Sequence, residues 1–262
     1  LSRIVWSSTG SRFFEVGVDR GVLYVDSAPG VPWVGLTAVQ EKPSGGKQRS
    51  YYQDGVKYLM ISDPEEFTAS ISAYTFPTEF EVCDGTVRAR PGLLVAQQRR
   101  KMFSLSYRTK IGNETRGVDH GYKIHLVYNA MAAPSSRNHA TISDSPSIAD
   151  FTWDIQTVPP PTAGYKRSSH IIIDSRETDE DVLVALEDIL YGTDEESPRI
   201  PTLEEIVGVY DSLEAITVTD NGGGLFTITG PDSAIQNMGS DVYEITGDEV
   251  TEIDPETYSI SS

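Results

Sequence analysis

Three stretches of the chain alternate side chains with a period of two, and this pattern limits the fold more than any other feature. Phe67, Ala69, Ile71, Ala73 and Thr75 alternate with Thr68, Ser70, Ser72, Tyr74 and Phe76. Phe103, Leu105, Tyr107, Thr109 and Ile111 alternate with Ser104, Ser106, Arg108 and Lys110, and Tyr122, Ile124, Leu126 and Tyr128 with Lys123, His125, Val127 and Asn129. Successive side chains of a strand point to opposite faces, so each stretch reads as a half-buried strand. Shorter strands are expected at residues 14–18, 22–25, 33–39, 56–61, 151–158 and 170–174. Turn chemistry separates them: Asp19-Arg20-Gly21, Pro43-Ser44-Gly45-Gly46, Asp54-Gly55, Gly112-Asn113 and Pro159-Pro160-Pro161. The expectation is a mainly β fold, an antiparallel β-sandwich or barrel.

One segment breaks the period. Val182, Leu186, Ile189 and Leu190 fall on one face at helical spacing, three acids follow Thr178, and Gly192 can stop the chain. This predicts a helix over about residues 179–191, capped by Thr178, and laid as a cover on one face of the sheets. A second helical turn is expected over 202–210. Strand-like stretches at 215–219, 225–229, 242–246 and 257–260, with Asn221-Gly222 as a hairpin turn, predict a small β appendage. The domains expected are therefore 1–201 and 202–262.

The charge divides at nearly the same place. The 262 residues carry 39 acids and 21 Lys plus Arg, a net of −18. Residues 1–170 hold 19 basic and 16 acidic side chains, whereas 171–262 hold 2 and 23. No Lys or Arg follows Arg199, so the last segment lacks the cations that release counterions from phosphates and is no nucleic-acid-gripping arm. No apolar run approaches the roughly 18 residues that cross a bilayer. Arg3, Arg12, Glu15, Asp19 and Arg20 break any signal-peptide core, so the expectation is a protein neither membrane-embedded nor exported. Cys83, the sole cysteine, excludes an internal disulfide, a cysteine zinc cage and a CxxC redox site, and reads as a small buried residue rather than a nucleophile.

Catalytic patterns are absent from the sequence. A phosphate loop at Gly46-Lys47 would need glycine where Glu41 sits and Ser or Thr where Gln48 sits, the Gly222-Gly223-Gly224 run has no following lysine, and no GxSxG elbow occurs. Asp119-His120 draws a triad only with an arbitrary serine. Of the histidines at 120, 125, 139 and 170, the first two are five apart on a strand and point to opposite faces, so no metal site, cofactor or catalytic residue is expected.

Two basic loops ask for another explanation. Lys42, Lys47, Arg49 and Lys57 lie in a Gly/Ser-rich loop with Tyr51 and Tyr52, and Arg88, Arg90, Arg99, Arg100 and Lys101 lie in an irregular link between Cys83 and Met102. Basic loops of one subunit seating on acidic surfaces of the next would suit a homopolymer that carries both signs.

Several segments, in order, resemble the major tail protein (tail tube protein) of long-tailed bacteriophages, particularly those of actinobacterial hosts. They are Tyr51-Tyr-Gln-Asp-Gly-Val-Lys57, the run from Glu66 to Phe80 with Cys83-Asp-Gly85, Phe103-Ser-Leu-Ser-Tyr-Arg-Thr-Lys-Ile-Gly-Asn113, Gly121-Tyr-Lys-Ile-His-Leu-Val-Tyr-Asn129, Phe151-Thr-Trp153 and Leu186-Glu-Asp-Ile-Leu-Tyr-Gly192. The resemblance spans about 14–201. It implies a virion protein, assembled in the host cytoplasm, whose β-sandwich forms hexameric rings. Inner strands of a ring close into a β-barrel, and rings stack into a tube that encloses the tape measure protein and later conducts DNA. Tail terminator and distal tail proteins are the further partners implied, with no membrane. The loop reaching the adjacent ring maps onto 41–57, and a second interface loop onto 83–102. A bore that lets DNA slide should not be basic. Its expected lining is Glu66, Thr68, Ser70 and Ser72 from one strand and Asp150, Thr152, Asp154 and Gln156 from another. The competing readings are a carbohydrate- or receptor-binding β-sandwich of a virion, which needs an exposed aromatic platform, and a hydrolase, which needs a convergent site.

Overall fold

The computed structural model describes residues 9–137, 150–162 and 164–214, and beyond these the strands of the C-terminal segment. Strands in chain order are β1 (Phe13–Val25), β2 (Val31–Pro32), β3 (Leu36–Glu41), β4 (Ser44–Gly45), β5 (Gln48–Gln53), β6 (Val56–Ser62), β7 (Glu65–Glu66), β8 (Thr68–Ala73), β9 (Val87–Arg90), β10 (Leu93–Val95), β11 (Phe103–Asn113), β12 (Gly117–Ala132), β13 (Phe151–Thr157) and β14 (His170–Asp174). Helices α1 (Glu180–Tyr191) and α2 (Leu203–Glu214) follow, then β15 (Ile216–Asp220), β16 (Phe226–Thr229), β17 (Ile235–Gly239), β18 (Val242–Ile245), β19 (Glu249–Asp254) and β20 (Thr257–Ser261). The fold is mainly β and antiparallel, as the alternation predicts.

The chain divides into two compact units, one of residues 1–176 with 189–200 and one of 177–188 with 201–262. In the first, one sheet runs β2-β1-β11-β12-β13-β8-β3, and β14 also pairs with β12. β12 changes partner along its length: Lys123–Val127 pair with β14, and Ala130–Ala132 with β13. Between them Asn129 takes a positive φ of 49°, where β12 passes from one partner to the other. Ile71 and Trp153 from β8 and β13 therefore share one core with Leu23, Leu105 and Val127 from β1, β11 and β12. Trp153 is fully buried among the rings of Trp33, Phe76, Phe80 and Phe151, and its indole N–H donates to Asp84 Oδ1 at 3.0 Å.

Several local expectations need correction. Asp19-Arg20-Gly21 is not a turn: β1 runs through it, with register shifts on either side of Asp19 and a positive φ of 48° at Arg20. A residue held at positive φ serves a bulge as readily as a turn. Residues 78–82 form a 3-10 turn that drives Phe80 into the core. The link from Cys83 to Met102 is not irregular throughout, because β9 and β10 form a hairpin.

Asp179 rather than Thr178 caps α1, accepting the Asp181 backbone N–H at 3.0 Å, while the Thr178 hydroxyl lies 2.9 Å from that of Tyr210. The last turn of α1 belongs to the sandwich unit, where Leu190 O accepts the Tyr24 hydroxyl at 2.7 Å. Gly192, at φ 80°, ends the helix in a conformation that a side chain resists. The second helical turn is a full helix. Thr202 Oγ1 accepts the Glu205 N–H at 3.2 Å and Glu205 Oε2 accepts that of Thr202 at 2.8 Å, a reciprocal capping box. In the second unit β16, β15, β20 and β19 form an antiparallel sheet, and β17 pairs with β18. Asp220 stands opposite Phe226, consistent with a hairpin there, although Asn221 and Gly222 themselves lie outside the described residues.

Cys83 is fully buried, and burial pushes its thiol up to about 12. A thiol-specific disulfide reagent is expected to leave the native chain unlabelled and to label one thiol per chain in concentrated guanidinium; fast labelling of the native form would contradict this burial.

Candidate functional site

The two basic loops are hairpins, and what they expose is apolar. β5 and β6 pair from Gln48 opposite Ser62 to Gln53 opposite Val56, closed by Asp54-Gly55 with φ of 51° and 79°. Two successive positive φ angles make the tight turn whose twist matches the strands. Every residue of both strands is exposed. Tyr52 is 66% exposed and Val56 and Tyr58 are each 70%, with Tyr51, Leu59, Met60 and Ile61 also bare. A two-stranded hairpin with no third layer is marginal in water, and a bare apolar patch of this kind marks a surface that another molecule covers. Lys47, Arg49 and Lys57 sit on this hairpin and its base, Arg49 bonded to Asp63 at 3.2 Å.

Lys42 does not belong with them. It continues β3, its N–H donating to Thr68 O at 2.7 Å, and its ammonium turns to Ser70 and to Asp154 Oδ1 at 3.3 Å. In the second basic loop, Arg88 pairs with Glu81 at 2.7 Å, Arg100 with Asp84 at 3.4 Å and Lys101 with Asp26 at 2.6 Å. Arg90 and Arg99 remain exposed, and so do Val87, Leu93, Leu94 and Val95 of the β9–β10 hairpin. The cations of this loop largely hold its base to the sandwich, and apolar side chains occupy the hairpin.

Six of the eight residues expected to line a bore share one face. β8 and β13 are paired so that Thr68 opposes Gln156, Ser70 opposes Asp154 and Ser72 opposes Thr152. On the far side of β8, Gln40 opposes Ser70 and Ala38 opposes Ser72. The hydroxyls of Ser72 and Thr152 lie 3.1 Å apart, Thr68 donates to Lys42 O, and Ser70 donates to Asp154. The Ser70 hydroxyl first, then the Lys42 ammonium, hold Asp154 below the usual carboxylate range. This face is a ladder of hydroxyl and amide groups with one compensated ion pair. Glu66 stands apart in the short β4–β7 pairing opposite Ser44, and Asp150 precedes β13; both are exposed.

The histidines arrange themselves in a way that spacing hid. His120 hydrogen-bonds Asn113 and stacks on Phe13, away from His125. His139 lies outside the described residues. Because β14 pairs with β12, His170 comes beside His125, with Nε2 3.2 Å from His125 Nδ1, and Glu41 Oε1 from the end of β3 is 3.3 Å and 3.8 Å from those two nitrogens. Burial pushes His125 down to about 4 and also lowers His170, so both rings are neutral near pH 7.

No protein-family model matches the chain, and no curated relative matches it. Among solved structures, one similar chain comes from the PVC sheath–tube complex of an extracellular contractile injection system in its extended state. It is 13% identical over 59% of this chain and 88% of that chain, with a TM-score of 0.31. Another is a chain of the anti-feeding prophage cap, the tube-terminating cap, at 12% identity over 66% of this chain and 96% of that chain, also with a TM-score of 0.31.

Proposed function

We propose that the chain is a structural subunit of a phage-type tail tube and catalyses nothing. The observation that carries the reading is the β5–β6 hairpin, which exposes tyrosine and aliphatic side chains on a segment with no third layer. A subunit that lives in a polymer can carry such an element because its neighbour supplies the missing cover. The hairpin coincides with the segment that, by resemblance, reaches the adjacent ring, so Tyr51, Tyr52 and Leu59 are its contact residues, and the β9–β10 hairpin is a second contact. Rings of six stack into a tube in this reading, enclosing the tape measure protein and later conducting DNA, with tail terminator and distal tail proteins at its ends.

The β3–β8–β13 polar face is the proposed bore lining. Its one cation, Lys42, is neutralised by Asp154, so a passing duplex finds hydrogen-bonding groups without a run of positive charge to release its counterions. Pairing strand edges from subunit to subunit would also remove the open edges of the sheet, which otherwise invite aggregation.

A second reading has one observation in its favour. Tyr51, Tyr52 and Tyr58 are all exposed, and exposed aromatic rings are what a carbohydrate-binding receptor module uses, although Tyr51 and Tyr52 are neighbours on β5 and face opposite ways. The flanking Val56, Leu59, Met60 and Ile61 favour a protein partner instead, because aliphatic side chains offer no hydrogen bonds to sugar hydroxyls. Sedimentation velocity over a concentration series separates the two. Polymerisation that grows with concentration supports the tube; a single monomer boundary at every concentration overturns it.

A further inference from the structure

We propose that Glu41, His125 and His170 form a binding site for a divalent transition-metal ion of the zinc class, one ion per chain. Among the described residues these are the side chains of His, Cys, Asp and Glu that bring three ligand atoms within 4.8 Å of one another. A point equidistant from His125 Nδ1, His170 Nε2 and Glu41 Oε1 lies about 2.0 Å from each, given separations of 3.2, 3.3 and 3.8 Å, which matches Zn–N and Zn–O bonds of about 2.0–2.2 Å. Two imidazoles and a carboxylate are the donor set that zinc-like ions prefer over calcium or magnesium, which select oxygen.

The surroundings orient these ligands. His125 is buried, and its Nε2 lies 3.0 Å from the Thr109 hydroxyl. Donating Nε2–H there leaves the Nδ1 lone pair facing His170 and Glu41. The Tyr107 hydroxyl donates to Glu41 Oε1 at 2.8 Å, and the Tyr107 ring stacks on His125 at 4.6 Å with the planes 5° apart. The Phe67 ring lies 4.4 Å from that of His170. Partners of this sort set ring orientation and tautomer in metal sites. His170 also lines a cavity of about 650 Å³ with Pro43, Glu66, Phe67 and Lys166, and Glu41 is itself exposed, so two of the three ligands border solvent. Three protein ligands leave a coordination position for water or a small anion. The ligands come from β3, β12 and β14, with β3 at one end of the strand order and β14 attached to β12, so the ion would clip together strands that are not hydrogen-bonded neighbours. It would stabilise the subunit by mass action whether or not the subunit assembles.

The test uses the full chain, stripped with a chelator and titrated with Co²⁺. The expected result is one Co²⁺ per chain with visible ligand-field absorption, displaced by Zn²⁺, and a melting temperature that rises in Zn²⁺. Glu41→Gln and His170→Gln, two substitutions at partly exposed positions, are each expected to weaken binding by at least about tenfold, with unchanged circular dichroism. Two outcomes overturn the proposal: a native chain that takes up no Co²⁺, showing that the three groups only hydrogen-bond one another, or Co²⁺ binding that both variants retain at native strength.

Discussion

A chain carrying Tyr51→Ser, Tyr58→Ser and Ile61→Ser is expected to remain monomeric at concentrations where the native chain polymerises, while its melting temperature hardly changes. All three side chains are exposed in the isolated subunit, at 50%, 70% and 52%. Substituting exposed residues usually alters folding stability by no more than about 0.5 kcal/mol each. Fully covering a large apolar side chain at an interface is worth about 1.5–3 kcal/mol. Because these side chains are already partly covered in the subunit, losing all three weakens every subunit contact by roughly a hundredfold to a few thousandfold, since about 1.4 kcal/mol is tenfold, and a polymer repeats the loss at each junction. Sedimentation and thermal melting of the same preparation check both halves. Native-like polymerisation of the variant would remove the β5–β6 hairpin from the interface.

Trp153→Ala should do the opposite, destabilising the subunit itself rather than its assembly. The side chain is fully buried and touches four aromatic rings, so its removal leaves a cavity that stiff neighbours cannot fill. The expected cost is about 3–5 kcal/mol, against a total that is typically about 5–15 kcal/mol for a domain. Asp84 loses the indole N–H yet keeps Arg100 and Arg137, so the cavity dominates the cost and a buried charge is not left alone. Trp153→Phe restores part of the volume and should recover part of the loss. Urea unfolding followed by circular dichroism measures both variants; a loss below about 1 kcal/mol for the alanine variant would mean that this cluster does not hold the core.

Long alternating stretches made the strands legible. Residues 170–174 were predicted with the bounds that β14 has, and the helix over 179–191 differs from α1 by one residue. The pairing of β8 with β13 placed Thr68, Ser70, Ser72, Thr152, Asp154 and Gln156 together because their alternation had already put each set on one face. Other features had readable signals that charge obscured. Lys42 follows Ala38 and Gln40 at intervals of two, which is the pattern of a strand continuing, and Thr202 with Glu205 carries the spacing of a capping box. In the basic loops, the Lys and Arg content masks the apolar character of Val56, Leu59, Ile61, Leu93 and Leu94, the residues that a partner would cover.

The Glu41–His125–His170 cluster had no local signal. Its members are brought together by β14 pairing with β12 and by the end of β3 approaching them, and neither relation is written in the spacing of any one segment. Asp19-Arg20-Gly21 failed for a related reason: positive φ is a local property, and whether it ends a strand or bulges it depends on whether β11 continues alongside. The acidic C-terminal segment, which dominates the net charge, supplies no residue to the proposed bore face, so the total of −18 does not describe the charge that passing DNA would meet.

The most direct test is a helical reconstruction by electron cryomicroscopy of the concentrated full chain. Stacked rings are expected around an axial bore lined by Ser70, Ser72, Thr152 and the Lys42–Asp154 pair, with the β5–β6 hairpin seated on the next ring. A preparation that forms no tubes, or tubes whose bore is lined by unpaired Lys and Arg, would contradict this expectation.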